Sequence, residues 1–463
     1  MPVHNRREQE LDPKIRDQVD YIISEFEAHD IPIDYVTVGR ERGDEYSAGV
    51  KYMYAKDQLL VREPDLSRVF ALLKKDFRLR PRRSRRKSFI GDIVLVELVP
   101  DRSADDSQTP AQQLPGIEDE CAEAGHMHDA GEQPCVLNIL AAIDREFGTG
   151  AATPNQVVTV CNGDMGPCPA TEPEEVSMNA QPDPGVCPGD GGAGVRIWIA
   201  DTGLLDGATQ IHPWLSGVHG DPDNRPWKGG FIPVYTGHGT FVAGVVRCMA
   251  PAAEIYVANV FNIAGSALES DFVPKLDEAL GYGADIVHLT ISTLTRKDIP
   301  LQTVKAWLQT LNQVRPGAVC VVAAGNDDTE HHSWPAALTL TEPADTVVSA
   351  GALTANGSRK AHFSNYGDWV TVYAPGQDLV NAYAVGTYKC RWAPNKGKIR
   401  HFHGMAKWSG TSFSTPIVTG LIAAQMASNT QTGQQAAQAL LAKAGTQEIT
   451  GTVTGQVLLP SCG

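Results

Sequence analysis

No run of apolar residues in this 463-residue chain approaches the ~20 needed to cross a membrane as a helix, which excludes a spanning helix from the expectation. The segment from Met1 to Glu8 is polar and leads into charged sequence, without the apolar stretch of a secretory signal. Cysteines are few and odd in number, nine scattered from Cys121 to Cys462, and they do not form the dense pattern of a disulfide scaffold. These absences set the expectation of a reduced, cytoplasmic protein without membrane partners. Internal repeats are also lacking.

What is present is a long chain with 42% hydrophobic residues, enough for a sizeable core, and 44 Gly with 30 Pro, enough for many loops. A soft prior of about 150 residues per domain gives two or three domains. The net charge of −15 is unevenly placed: Asp101 to Asp190 holds 17 Asp and Glu against Arg102 and Arg145, so the rest is balanced. Just before it, Lys74 to Lys87 holds nine Lys or Arg among 14 residues. An isolated basic run of this kind is a solvated or intramolecular element more often than a nucleic-acid site, so no nucleic-acid partner is expected.

Three zones follow. Residues 1–100 read as a small α/β domain, with helices at Gln18–Ala28 and Ser67–Lys75 (Val69, Leu72 and Leu73 on one face) and a strand at Ile93–Val99. Residues 101–190 read as an acidic, Pro- and Gly-rich linker region. Asp101–Pro115 is expected to be disordered, with a short helix at Val136–Phe147 and a short strand at Gln156–Val160. Residues 191–463 alternate short apolar runs with helical patterns. Strands are expected at Val195–Ala200, Glu254–Val260, Ala284–Ile291, Ala318–Ala323 and Thr346–Ala350, with helices at Ser270–Leu280 and around Leu301, Val304, Leu308 and Leu311. The fold class expected is α/β: a parallel β-sheet flanked by helices, with functional groups at the carboxyl ends of its strands.

Three polar signatures fall at such places. Asp201, in Ile199-Ala200-Asp201-Thr202-Gly203, ends a buried apolar run; most Asp-x-Gly sequences are only turns. His238, in Gly237-His238-Gly239-Thr240, opens a stretch crowded with small residues, which an ordinary surface or core histidine does not require. Ser412, in Gly410-Thr411-Ser412-Phe413-Ser414-Thr415-Pro416, precedes the apolar helix Ile417–Met426, and Pro416 suits a first helical turn. A helix N-terminus favours developing negative charge, although a plain Ser or Thr cap would look similar.

Taken together, these segments resemble the signature blocks of the subtilisin-like serine proteases, in that family's order Asp, His, Ser. Ala323-Ala324-Gly325-Asn326 resembles the family's oxyanion-hole segment, and Phe363-Ser364-Asn365-Tyr366-Gly367 and Ala374-Pro375-Gly376 agree further, so the resemblance covers roughly residues 191–440. It implies a subtilisin-like fold and a serine endopeptidase acting on protein or peptide substrates. In it Ser412 attacks the peptide carbonyl, His238 moves the proton, Asp201 orients the imidazole, and Asn326 with the Ser412 amide holds the oxyanion. No cofactor is implied for catalysis. The structural calcium that the family often binds has no site readable here, and no metal site is expected. Phe413 stands where the family commonly has Met, and Ser292-Thr293-Leu294-Thr295 replaces its Ser-Leu-Gly segment along the substrate channel. A catalytically dead binding module and an acyl transferase to amines are the alternatives; the four intact positions argue against the first.

Other constellations are weaker. Cys121, His126, His128 and Cys135 match no standard zinc spacing. Cys161, Cys168 and Cys187 are no better, and His331 and His332 read as a solvated loop. Lys389–His403 reads as a long hairpin. For the N-terminal region two roles stand: an inhibitory segment that binds the catalytic domain until cleavage releases it, or a recognition domain for a regulatory partner or substrate.

Overall fold

The computed structural model describes residues 11, 13–42, 45–84, 91–100, 120–123, 134–160, 170–343, 345–392, 394–449 and 454–462. Asp101–Pro115, His126, His128, Cys161 and Cys168 lie outside them, as does the end of the basic run. The chain divides into two compact units: one holds residues up to Val157 with Leu268–Pro274 and Thr295–Trp307, the other Val158–Ala267, Lys275–Leu294 and residues from Leu308 onward.

The first unit is an antiparallel sheet with helices. Helix α1 (Pro13–Glu27) leads into β1 (Ile33–Arg42) and the long β2 (Glu45–Arg62); α2 (Leu66–Asp76), β3 (Leu79–Arg83), β4 (Ile93–Pro100), α3 (Val136–Phe147) and β5 (Ala152–Thr159) follow. The strands pair in the order β3-β4-β2-β5, with β1 also on β2, all antiparallel. Alternation along β2 and β4 places Leu59, Val61, Val94 and Val96 in one core with Val69, Leu72 and Leu73 of α2 and Leu137, Leu140 and Ile143 of α3. The unit therefore runs past residue 100 and takes in α3. The basic run starts in the last turn of α2, and its middle forms β3, in which Leu79 and Pro81 are buried while Arg80, Arg82 and Arg83 face outward.

The two later segments of this unit are held by polar bonds. Arg296, almost fully buried, donates to both carboxylate oxygens of Glu120 (2.6 and 2.7 Å) and to Asp144 (2.9 Å). Buried Glu269 accepts from the Thr303 amide and hydroxyl (3.0 and 2.5 Å), and the Asn155 amide donates to the Ser270 hydroxyl at 2.9 Å.

The second unit is built on a parallel sheet whose strands read in sequence as apolar runs. These are β6 (Arg196–Asp201), β7 (Glu254–Asn259), β8 (Ile286–Leu289), β9 (Val319–Ala323), β10 (Val347–Leu353) and β11 (Val372–Pro375). Their spatial order is β11-β10-β9-β8-β6-β7, every pair parallel. From β6 the chain first adds β7 on one side, then crosses to place β8 on the other, so the strand order reverses at β6. Parallel α/β sheets place their sites at the carboxyl edge beside such a reversal. Helix α4 (His238–Met249) is buried on every side, and α5 (Thr411–Asn429) nearly so over its first thirteen residues; both share one core with the sheet, as helices apolar all round must. The antiparallel strands β12 (Leu379–Lys389) and β13 (Ile399–Trp408) form a longer hairpin than the sequence indicated, and they add Tyr383, Phe402 and Trp408 to that core. The expected helices near 270–280 and 301–311 are present as Glu269–Tyr282 and Gln302–Val314.

The cysteines correct the expectation of a fully reduced chain. Cys121 is joined to Cys135, and Cys187 to Cys462, while Cys248, Cys320 and Cys390 are free and buried. The first bridge also removes two of the four residues weighed as zinc ligands, since a disulfide sulfur is no thiolate donor. Among the described residues, no group of three or more His, Cys, Asp or Glu could hold a metal, and no helix is long and apolar enough to cross a membrane.

Candidate active site

Asp201 is the last residue of β6 and is fully buried. Such a carboxylate needs donors, and it has three: the Thr202 amide at 2.7 Å, the Thr290 hydroxyl at 2.7 Å, and His238 Nδ1 at 2.8 and 2.9 Å from its two oxygens. Burial works to raise its pKa. The attraction and hydrogen bond of His238, with the Thr290 and Thr202 bonds, outweigh it and hold the carboxyl below its ordinary value.

His238 opens α4. A side chain at residue 239 would collide with the Gly203 carbonyl (2.5 Å) and crowd Asp201 Oδ1 (3.1 Å), so only glycine lets the helix come this close to the strand end. The imidazole is buried among aromatics, with ring centroids 5.6 Å from Trp408 and 5.2 Å from Phe413.

Ser412 is the second residue of α5. The helix begins at Thr411, earlier than the apolar run suggested, so Pro416 lies in the second turn rather than the first. Lacking an amide hydrogen, Pro416 gives the Ser412 carbonyl no intrahelical donor. The residues beside Ser412 tie it to the rest of the site: Phe413 lies against the His238 ring, and the Thr411 amide and hydroxyl donate to Asn326 Oδ1 at 2.8 and 3.0 Å. Asn326 follows β9, so all four positions sit at carboxyl ends of strands or the helix starts facing them.

Among the described residues 21 buried side-chain polar atoms have no hydrogen-bond partner, and three of them lie together in this site: His238 Nε2, Ser412 Oγ and Asn326 Nδ2. The His238–Ser412 hydrogen bond is therefore not formed here; such bonds tighten when substrate binds. A ring nitrogen whose other nitrogen is fixed on a carboxylate, a hydroxyl at a helix N-terminus and an amide NH₂ held by its oxygen make the set needed for base, nucleophile and oxyanion donor.

Sequence reasoning missed several supporting residues. Thr290, two residues after His288 on β8, reaches Asp201, and Thr411 orients Asn326 while accepting from the Gly325 amide at 3.1 Å. His288 is fully buried with Nδ1 against the Thr419 hydroxyl (2.8 Å); burial pushes its pKa down to about 3, so it stays neutral. Ser292, in the departing segment, pairs with Thr159: its amide donates to the Thr159 carbonyl at 3.2 Å, and the Val160 amide donates to the Gly265 carbonyl at 2.9 Å. The His332 ring lies near Trp334 and Trp369.

The profile of the subtilase family matches residues 192–456, more than half of the chain. The chain belongs to the subtilase family. Curated relatives of this subtilase include an extracellular serine proteinase of Thermus sp. (strain Rt41A), 30% identical over 54% of this chain and 55% of that protein, and the M-protease of Shouchella clausii, 29% identical over 50% of this chain and 54% of that one. This subtilase thus spans about half the length of these relatives. Among solved structures, a cold adapted subtilisin-like serine proteinase aligns at 21% identity with a TM-score of 0.43, over 59% of this chain and 91% of that one.

Proposed function

We propose that this subtilase is a serine endopeptidase with Asp201, His238 and Ser412 as its triad and Asn326 in its oxyanion hole, held in check by its own N-terminal region. The observation that carries the reading is the set of three orphaned atoms. Burying a polar atom without a partner costs about 1–3 kcal/mol, and three such atoms in one site mark places meant for a ligand. A peptide carbonyl beside Ser412 Oγ supplies what they lack. Oγ attacks the carbonyl carbon and passes its proton to His238 Nε2; Asp201 holds Nδ1–H and stabilises the imidazolium. The oxyanion takes hydrogen bonds from Asn326 Nδ2 and the Ser412 amide, and His238 then gives its proton to the leaving amine.

Restraint is supported by the strand pairing within the second unit. The Thr159–Val160 peptide at the end of β5 lies between Gly265 and Ser292, bonded to one on each side, along the segment that the family uses to line its substrate channel. Main-chain pairing of this kind is how an extended peptide is bound at an exposed sheet edge. Incubating the full chain and sequencing its termini over time tests this: one cut between Val160 and Ala170 with rising activity is expected, absent in Ser412→Ala. A stable full-length chain with undiminished activity would remove the restraint, and a chain inert to fluorophosphonate would remove the protease.

A further inference from the structure

The loop between β6 and α4 carries a buried ion pair that the triad chemistry does not use. Asp223 and Arg225 have side chains 0% and 2% exposed and meet at 2.7 Å. Each also bonds a part of the site. Asp223 Oδ2 accepts the Gly237 amide at 2.7 Å, immediately before His238, and the Thr202 hydroxyl at 3.4 Å, immediately after Asp201. Arg225 donates to the Thr202 carbonyl at 3.1 Å and the Asn262 carbonyl at 3.2 Å. The circuit closes on the far side of the histidine, where the Gly239 amide donates to the Thr202 hydroxyl at 3.0 Å. The loop itself is fastened to the strand end through Leu204 N–H to Asp221 O (2.8 Å) and Asp223 N–H to Leu204 O (2.9 Å).

A buried ion pair is a poor source of stability, because desolvation offsets most of its attraction, and apolar replacement is often neutral. These bonds do something an apolar pair could not: they grip the Thr236–Gly237 peptide ahead of His238 and the Thr202–Gly203 peptide beyond Asp201, while the Thr202 hydroxyl holds the His238–Gly239 peptide. Gly237 has φ +81°, a left-handed conformation that aims its amide at Asp223 and turns the chain into α4. We propose that Asp223, locked by Arg225, is a positioning residue that fixes His238 over Asp201 by bracing the Gly237 peptide against Thr202. The assignment rests on the endopeptidase reading and adds two residues to it.

The test compares full-length wild type, Asp223→Ala, Asp223→Asn, Thr202→Val and the Asp223→Ala/Thr202→Val double variant on one peptide substrate, with competent sites counted by fluorophosphonate titration. A misplacement of about 1 Å costs on the order of 10²-fold. Asp223→Ala is therefore expected to lower kcat by about that factor with KM within about twofold. Asp223→Asn, which keeps one acceptor oxygen, loses about tenfold, and the double variant is no worse than Asp223→Ala, since both cut the same brace. Folded Asp223→Ala with wild-type kcat, a loss confined to KM, or losses that multiply in the double variant would overturn the assignment. Should Asp223→Ala not fold, wild-type kcat in both Asp223→Asn and Thr202→Val overturns it equally. A wild-type chain that neither labels nor cleaves defeats the endopeptidase reading instead, which is a separate result.

Discussion

Replacing Val160 by proline tests whether the chain blocks its own channel. Val160 donates its amide to Gly265 O at 2.9 Å, while the neighbouring bond runs from the Ser292 amide to Thr159 O and is untouched. Proline has no amide hydrogen, so the substitution deletes one main-chain bond. A hydrogen bond contributes about 0.5–1.5 kcal/mol net, which is about two- to tenfold in the population with the strand detached. The proline Cδ would also press on the Gly265 carbonyl, which moves the effect toward the upper end. The assay is the initial rate of fluorophosphonate labelling of the uncleaved full chain, followed by intact mass. A rise of about two- to tenfold is expected. An unchanged or slower rate in a folded variant would refute the idea that this strand limits access to Ser412.

Four further outcomes are expected. Asn326→Ala should lower turnover by about 10²–10³ with little change in substrate binding, a figure established for such a donor in this very family; an undiminished kcat contradicts the oxyanion role. Thr290→Val, in a Ser412→Ala background, should destabilise the second unit by about 1.5–3 kcal/mol near neutral pH. Because Asp201's folded pKa is depressed, its stabilisation is present above its unfolded pKa and lost as pH falls through the folded one, so the deficit should shrink in acid; equal denaturation deficits at both pH values contradict this. Glu269 is pushed up to about 7 by burial, against the two bonds from Thr303, so its contribution is full below about pH 4.5 and lost as pH rises through about 7; Glu269→Gln should remove that slope, worth on the order of 3 kcal/mol, and an unchanged slope contradicts it. Replacing Cys187 and Cys462 by Ser should lower stability by about 2–4 kcal/mol, and a melting temperature indifferent to reductant speaks against the bridge.

Strands β6 to β10 of the second unit were legible because a parallel sheet covered on both faces demands nearly uninterrupted apolar runs, as in Val319–Ala323, whereas the four-residue β11 was not among the expected strands. In the first unit β2 escaped notice, since Lys51, Lys56 and Asp57 interrupt its apolar alternation. Asp201, His238, Asn326 and Ser412 stood out because glycines and hydroxyl residues crowd around them for reasons of close approach. Thr290, Thr411 and Asp223 did not, because a hydroxyl or carboxylate gains its role from what lies across a strand or loop, and local spacing carries no record of that. The Cys187–Cys462 bridge joins residues 275 apart, beyond any spacing rule, and an odd cysteine count misdirected the reading toward thiols. The attachment of Leu268–Pro274 and Thr295–Trp307 to the first unit is likewise a long-range matter, decided by Arg296, Glu269 and Ser270 meeting partners far away in sequence.

The most direct measurement is the position at which a fluorophosphonate attaches after the chain has been incubated to its end state. A single adduct, mapped by fragment masses to Ser412 and lost in Ser412→Ala and in His238→Ala, is the expected result. A folded chain without an adduct, or with one that persists undiminished in Ser412→Ala, would contradict the account.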